Sequence, residues 1–136
     1  MKTLIAILLI ILFKSGYGQV AIIANPDVPV DSLTKTKLLD LYTGDLTKWK
    51  NNQPIIVFDL KPKLEIRNEF FNLLGKTSSR MKSIWLKKML AGEGDPPRAL
   101  DSEISILKII AKTPGAIGFV SKNIVNDTVK QIVLKE

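Results

Sequence analysis

The stretch LTKTKLLDLYTGDLTKW, residues 33–49, predicts a complete helix with both of its ends marked. Thr34 is a suitable N-cap, because its hydroxyl can accept a hydrogen bond from a free backbone N–H of the first turn. Gly44 supplies the left-handed residue that commonly ends a helix. The apolar face of this helix consists of Leu38, Leu41 and Tyr42. Trp49 follows as a large apolar anchor for the exit loop, so the stretch defines one packed helix of the domain.

The first 18 residues have the pattern of a secretory signal peptide. Lys2 makes the start positive, and an unbroken apolar run of ten residues follows over residues 4–13. Glycines then stand at −3 and −1 relative to a cut before Gln19. The run is shorter than the roughly 20 apolar residues of a membrane-spanning helix. We therefore predict a cleaved signal over residues 1–18 and one exported domain over residues 19–136. This domain is expected to be periplasmic or secreted, without stable membrane insertion.

The absence of two residue types limits the chemistry of this chain. It contains no histidine and no cysteine, which excludes Ser–His–Asp triads, thiolate metal sites and disulfides, together with most catalytic zinc sites. Two pairs of acids are close in sequence, and solvated loop acids are the better interpretation of both. The pairs are Asp40 with Asp45 and Glu93 with Asp95. We therefore expect no enzyme activity, no catalytic residue, no metal site and no cofactor.

The charge of the chain favours anionic partners. Twenty basic and 13 acidic residues give a formal charge of +7, and removal of residues 1–18 leaves +5. The basic residues are scattered rather than interleaved with aromatic residues, so we do not expect a nucleic-acid partner.

The rest of the chain alternates short apolar runs with amphipathic stretches. We predict strands at residues 20–24, 54–58, 116–120 and 129–134, and helices at residues 35–43, 63–74, 78–91 and 102–112. The residues predicted to face inward on the last two helices are Met81, Ile84, Trp85 and Met89, then Ile104, Leu107, Ile110 and Ala111. The order β α β α α α β β predicts an α/β fold with a mainly parallel sheet flanked by helices.

The loop after the second predicted strand is the candidate ligand site. In α/β sheets, ligands bind beyond the carboxyl ends of strands, and a helix N-terminus offers free N–H groups to an anion. Lys61, Lys63 and Arg67 add positive charge, the backbone at Leu64 adds a donor, and Arg67 could hold an oxyanion bidentately. Ser121 follows another strand and is a weaker candidate. A solvated basic face around the helix entry is the alternative interpretation.

Several motifs together resemble the phosphate ABC-transporter substrate-binding proteins, the PstS-like group of type II periplasmic binding proteins. The similarity follows the order of the chain. It includes Asn25-Pro26, Pro29-Val30, Leu41-Tyr42 with Gly44 and Trp49, Arg67-Asn68-Glu69-Phe70, Trp85, the run GEGDPP at residues 92–97, and PGAIGFV at residues 114–120. The resemblance implies a single lobe of this fold that binds inorganic phosphate or a similar oxyanion for ABC-type uptake. An ABC permease or another envelope protein is the implied partner.

Two departures from the family pattern affect this expectation. The chain corresponds to about one of the family's two lobes, so it cannot close on a ligand by itself. The family's phosphate loop carries a serine–glycine–threonine run, whereas this sequence has KPKLE at residues 61–65. Binding is therefore expected to be weak or to need a partner. The alternative is an envelope adaptor that has lost its ligand and contacts another protein through its Lys-rich helix faces or residues 93–98.

Overall fold

The computed structural model describes residues 19–136, and the predicted signal peptide lies outside this range. The strands are β1 Val20–Ala24, β2 Ser32–Thr34, β3 Ile56–Leu60, β4 Arg98–Leu100, β5 Ala116–Ser121 and β6 Lys130–Lys135. The helices are α1 Lys35–Thr43, α2 Glu65–Leu73, α3 Ser78–Leu90 and α4 Glu103–Lys112, with a 3₁₀ turn at Lys122–Ile124. Across residues 19–136 every helix is too short or too polar to span a membrane.

The strands form one sheet in the order β2-β6-β1-β5-β3-β4. β1 pairs antiparallel with both of its neighbours, β5 and β6, and the other neighbouring strands pair in parallel. All strands except β1 therefore run in the same direction. The predicted α/β class, with a mainly parallel sheet flanked by helices, is confirmed.

α1 is the helix that residues 33–49 predict. The Thr34 hydroxyl accepts a hydrogen bond from the Lys37 N–H, and Gly44 ends the helix in the left-handed region with φ 77°. Trp49 is buried, and its indole N–H donates to the Gly115 carbonyl at 3.0 Å. The helix and its exit loop are therefore fixed by local caps and by one long-range hydrogen bond.

The core is centred on four aromatic side chains from three elements. They are Tyr42 of α1, Phe70 and Phe71 of α2, and Phe119 of β5, with ring centroids 4.0 to 6.4 Å apart. All four are buried, and their tilted and edge-on geometries are the favourable ones for aromatic pairs. This cluster joins two helices to the sheet.

The second predicted strand needs correction. The sequence predicts this strand at residues 54–58, because Asp59 is typical of a loop. In the structure, β3 begins at Ile56 and extends through Asp59 to Leu60. Asp59 is tolerated inside a buried strand because Arg67 pairs with it. The short edge strands β2 and β4 were also not predicted, since three residues are too few to show a periodic pattern.

The inward faces of α3 and α4 are only partly as predicted. Met81 is buried, but Met89 is 42% exposed and Ile104 is 50% exposed. On α4, Ile106 is buried instead of Ile104, because the side that packs on the sheet carries Ile106, Leu107 and Ile110. On α3, the apolar side faces an open cleft.

Any side chain at Gly115 would clash with the Pro54 backbone. A substitution at this position therefore tests the packing of the segments that lead into β3 and β5. The φ of Gly115 is 78°, and an added Cβ would lie 2.4 Å from the Pro54 carbonyl oxygen. Gly92 has φ 70° but open space around it. We expect Gly115→Ala to lower the free energy of unfolding by about 2 kcal/mol and Gly92→Ala by about half as much. Equal losses for the two variants in urea titrations would contradict the clash.

Candidate functional site

The loops after β3 and β5 emerge at the same edge of the sheet, because these neighbouring strands are parallel. A cleft of about 310 Å³ lies at this carboxyl edge, beside the start of α2. Leu64 and Ser121, which are far apart in the sequence, both line it. The structure therefore brings these two predicted residues together at the position where α/β sheets bind ligands.

The carboxyl-edge cleft is acidic. Its other lining residues include Glu65 and Glu69 from α2 and Glu103 from α4. The Ser121 backbone N–H donates to the Glu103 carboxylate, so this donor is already occupied. An anion inside the cleft would meet three like charges, which oppose its binding.

Leu64 contributes less to an anion site than the sequence indicates. It is the N-cap of α2, and its N–H donates to the Lys61 carbonyl at 3.0 Å. At the start of α2, the N–H groups of Glu65 and Ile66 have no acceptor among residues 19–136. The open amide donors at this helix start are therefore one and two positions further along the chain.

The two predicted lysines lie outside the carboxyl-edge cleft. Lys61 and Lys63 are exposed, and neither lines the carboxyl-edge cleft. The Lys61 ammonium lies 3.7 Å from the Asp101 carboxylate, in a solvated pair that is weak. Both cations therefore remain available to an anion that approaches the loop from solvent.

Arg67 lies in a different direction from the other predicted site residues. Its Nε is 3.1 Å from Asp59 Oδ1, its Nη2 is 3.2 Å from Asp59 Oδ2, and its Nη1 donates to the Ser78 hydroxyl. The guanidinium also lies 4.8 Å from the Phe71 ring centroid. Both side chains of the Asp59–Arg67 pair are about one tenth exposed. The bidentate face predicted for an oxyanion is therefore occupied by Asp59.

Burial dominates the electrostatics of this pair. Burial raises the pKa of Asp59, and the hydrogen bonds from Arg67 and from the Leu60 N–H limit that rise. The pKa of Tyr42 is raised well above its usual value by burial and by the charge of Asp59, and its hydroxyl donates to the Phe58 carbonyl at 2.8 Å. Asp59 and Tyr42 therefore both have hydrogen-bond partners within the fold.

The six-stranded mixed sheet with its flanking helices matches one lobe of the periplasmic-binding-protein fold. No model of a known protein family matches the sequence. The chain is similar to the phosphate-binding protein PstS of Bacillus subtilis (strain 168), with 29% identity over 117 residues. That match covers 80% of this chain and 35% of the relative.

Two solved structures share the fold. A putative phosphate ABC transporter substrate-binding protein from Clostridium perfringens, with bound phosphate, has a TM-score of 0.71 and 23% identity, covering 85% of this chain and 44% of that chain. An ABC-type phosphate transport receptor from Vibrio cholerae has a TM-score of 0.69 and 24% identity, covering 85% of this chain and 46% of that chain.

These comparisons confirm the resemblance to PstS-like phosphate-binding proteins and the single-lobe fold. The chain spans about a third of the curated relative and less than half of each solved structure. The matched proteins are named as binding proteins and transport receptors, which agrees with the prediction that this chain is not an enzyme. The predicted site residues stay predictions, as does the domain boundary at residue 19.

Proposed function

We propose that this chain is an exported solute-binding-protein-like domain that binds phosphate or a related oxyanion for ABC-type uptake. The observation that carries the proposal is the junction of β3 and α2. There, the N–H groups of Glu65 and Ile66 lack an acceptor within residues 19–136, and the exposed Lys61 and Lys63 precede them in the same loop. A helix start with free donors and nearby cations is a general anion-binding arrangement. The similarity to phosphate-binding proteins supports phosphate as the anion.

The same junction predicts a weak site. Glu65, Glu69 and Glu103 oppose an anion, and Arg67 is held by Asp59. We therefore expect a dissociation constant in the millimolar range, corresponding to about 4 kcal/mol. An opposing surface, from an ABC permease, another envelope protein or a second copy of the chain, would add the donors that the loop lacks.

The test is a calorimetric titration of residues 19–136 with phosphate and with sulfate. This protein contains every strand and helix of the described fold. Lys61→Ala/Lys63→Ala should weaken phosphate binding by roughly tenfold, because two of the nearby cations are lost. Lys48→Ala/Lys50→Ala is the matched control. These exposed lysines precede β3, at the amino end of the strand and away from the loop, and their loss changes the net charge by the same amount.

The possible results distinguish the location of the binding site from oxyanion binding itself. Equal weakening by both lysine pairs would indicate a general charge effect and contradict the assignment of the loop. Absence of any heat at tens of millimolar phosphate, in every variant, would contradict oxyanion binding itself.

The second candidate function is an envelope adaptor that has lost ligand binding. It is favoured by the stretch that stands where the family has its serine–glycine–threonine run, since residues 61–65 bring one carboxylate and no hydroxyl to the helix start. A protein that binds no oxyanion, even after its carboxyl-edge glutamates are neutralised, would support this candidate.

A further inference from the structure

A second cleft, separate from the carboxyl-edge cleft, lies between α3 and the Asp59–Arg67 pair, and Arg67 is the one predicted site residue that lines it. The volume of this cleft is about 250 Å³. Glu65 and Glu69 of α2 line the carboxyl-edge cleft, whereas Arg67 and Phe71 line this one. Residues two apart on a helix face nearly opposite ways, so the two clefts lie on different sides of α2. We call this second space the α3 cleft.

The walls of the α3 cleft are mainly apolar. α3 lines it with one helical face, and Pro96 and Pro97 of the following loop close one side. The residues that α3 contributes are Ser78, Met81, Lys82, Trp85, Leu86 and Met89. Leu86 is 52% exposed at the mouth. Methionine side chains adapt to irregular ligands, so the walls can fit more than one apolar shape.

The cleft is held open by contacts along α3. The Trp85 indole N–H donates to the Tyr42 carbonyl at 2.8 Å, and the Trp85 ring lies against Gly44. The Lys88 ammonium lies 2.7 Å from the Asp45 carboxylate, and Ser78 accepts a hydrogen bond from Arg67. These contacts fix α3 to α1 and α2 while its apolar face stays uncovered between them.

The polar groups of the α3 cleft favour an anion. Asp59, Arg67 and Lys82 are its charged lining residues, and their sum is positive because Asp59 is matched by Arg67. A guanidinium carries five N–H donors. Nη1 and Nη2 of Arg67 each use one hydrogen, on Ser78 and Asp59, so each keeps a second hydrogen without an acceptor within residues 19–136. Lys82 is exposed and adds a mobile cation.

We propose that the α3 cleft binds a small amphiphilic carboxylate, with its apolar body against Trp85 and Met89 and its carboxylate near Arg67 and Lys82. This inference goes beyond oxyanion uptake, because it concerns another side of α2 and a ligand with an apolar body. An apolar cavity of about 150 Å³ holds benzene, so the α3 cleft is large enough for a body of roughly eight carbon atoms. Octanoate is a probe of this size and charge.

Trp85 makes binding directly observable. Within residues 19–136 the chain has two tryptophans, and Trp49 is buried outside the α3 cleft. Octanoate should change the Trp85 emission saturably, and octan-1-ol should require roughly tenfold higher concentration, since it lacks the charge that Arg67 and Lys82 attract. Inorganic phosphate should leave the emission unchanged.

Two pairs of matched variants test the position of the ligand. Leu86→Glu places a carboxylate at the mouth and should abolish octanoate binding, whereas Leu90→Glu, at a residue that is 82% exposed and outside the cleft, should not. Lys82→Gln should weaken octanoate roughly fivefold and leave octanol unchanged, with Lys87→Gln as its control. Thermal unfolding of each variant checks that the fold is retained.

Specific results would overturn the proposal. They are the absence of a saturable emission change, equal concentrations of octanoate and octanol for half-saturation, or equal effects of Leu86→Glu and Leu90→Glu. A response of Trp85 to phosphate alone would also overturn it. The results with octanoate and octanol leave the calorimetric phosphate test at Lys61 and Lys63 unaffected, so the two proposals can fail separately.

Discussion

Arg67→Met is expected to destabilise the protein by about 3–5 kcal/mol, because it leaves the Asp59 carboxylate buried without its counter-charge. Asp59 is 7% exposed, and three hydrogen bonds from Arg67 contact its two oxygens. Arg67 also covers the Phe71 ring, and methionine retains part of that apolar contact. Urea unfolding followed by circular dichroism measures the loss.

The double variant Asp59→Leu/Arg67→Met supplies the control for this prediction. Replacing both members of a buried ion pair by apolar side chains of similar size is often neutral or stabilising. We therefore expect the double variant to recover most of the stability that Arg67→Met loses. A double variant as unstable as the single one would show that Arg67 acts through packing rather than through its charge.

Phe119→Ala is expected to cost about 3–5 kcal/mol, because it removes a central ring of the aromatic cluster. Phe119 is fully buried, and its ring centroid lies 4.0 Å from that of Phe70 and 6.1 Å from that of Tyr42. The cluster joins α1, α2 and β5, so the cavity cannot close without moving two helices. The free energy of unfolding from urea titration provides the measurement.

Two further variants show whether the effect comes from this cluster. Phe119→Leu keeps most of the volume and should cost roughly half as much or less. Leu90→Ala removes a side chain that is 82% exposed and should change the stability by less than about 0.5 kcal/mol. A loss below about 2 kcal/mol for Phe119→Ala would contradict the central role of the cluster.

Local features of the sequence were sufficient to predict α1. Its N-cap, its apolar face and its terminal glycine all lie within residues 34–44, and each acts through contacts with its near neighbours. The position of β5 was also predictable, because its apolar run is bounded by Pro114-Gly115. The resemblance to PstS-like proteins rested on these same segments, and both the resemblance and the fold class are confirmed.

The surroundings of the candidate site could not be predicted in the same way. Arg67 lies one helical turn from Lys63 in sequence, but its partner is chosen by tertiary packing that places Asp59 of β3 beneath it. Glu103 reaches the carboxyl edge from α4, about 40 residues after Glu65 in sequence. The sequence of residues 59–67 shows both cations and carboxylates, but it does not show that Asp59 pairs with Arg67 or that Glu103 reaches the carboxyl-edge cleft. In the sequence, the only sign of the Asp59–Arg67 pair is the acidic Asp59 at the end of an apolar run.

We propose that the carboxyl edge of β3 and β5 is an oxyanion site whose own glutamates weaken it. The most direct measurement is the calorimetric phosphate affinity of Glu65→Gln/Glu69→Gln, with Glu93→Gln/Asp95→Asn as the matched control in an exposed loop. We predict that the first pair tightens phosphate binding by at least about tenfold relative to the control, since it removes two like charges beside the free N–H groups. Equal phosphate affinities for the two pairs of variants would show that Glu65 and Glu69 do not lie beside a bound oxyanion.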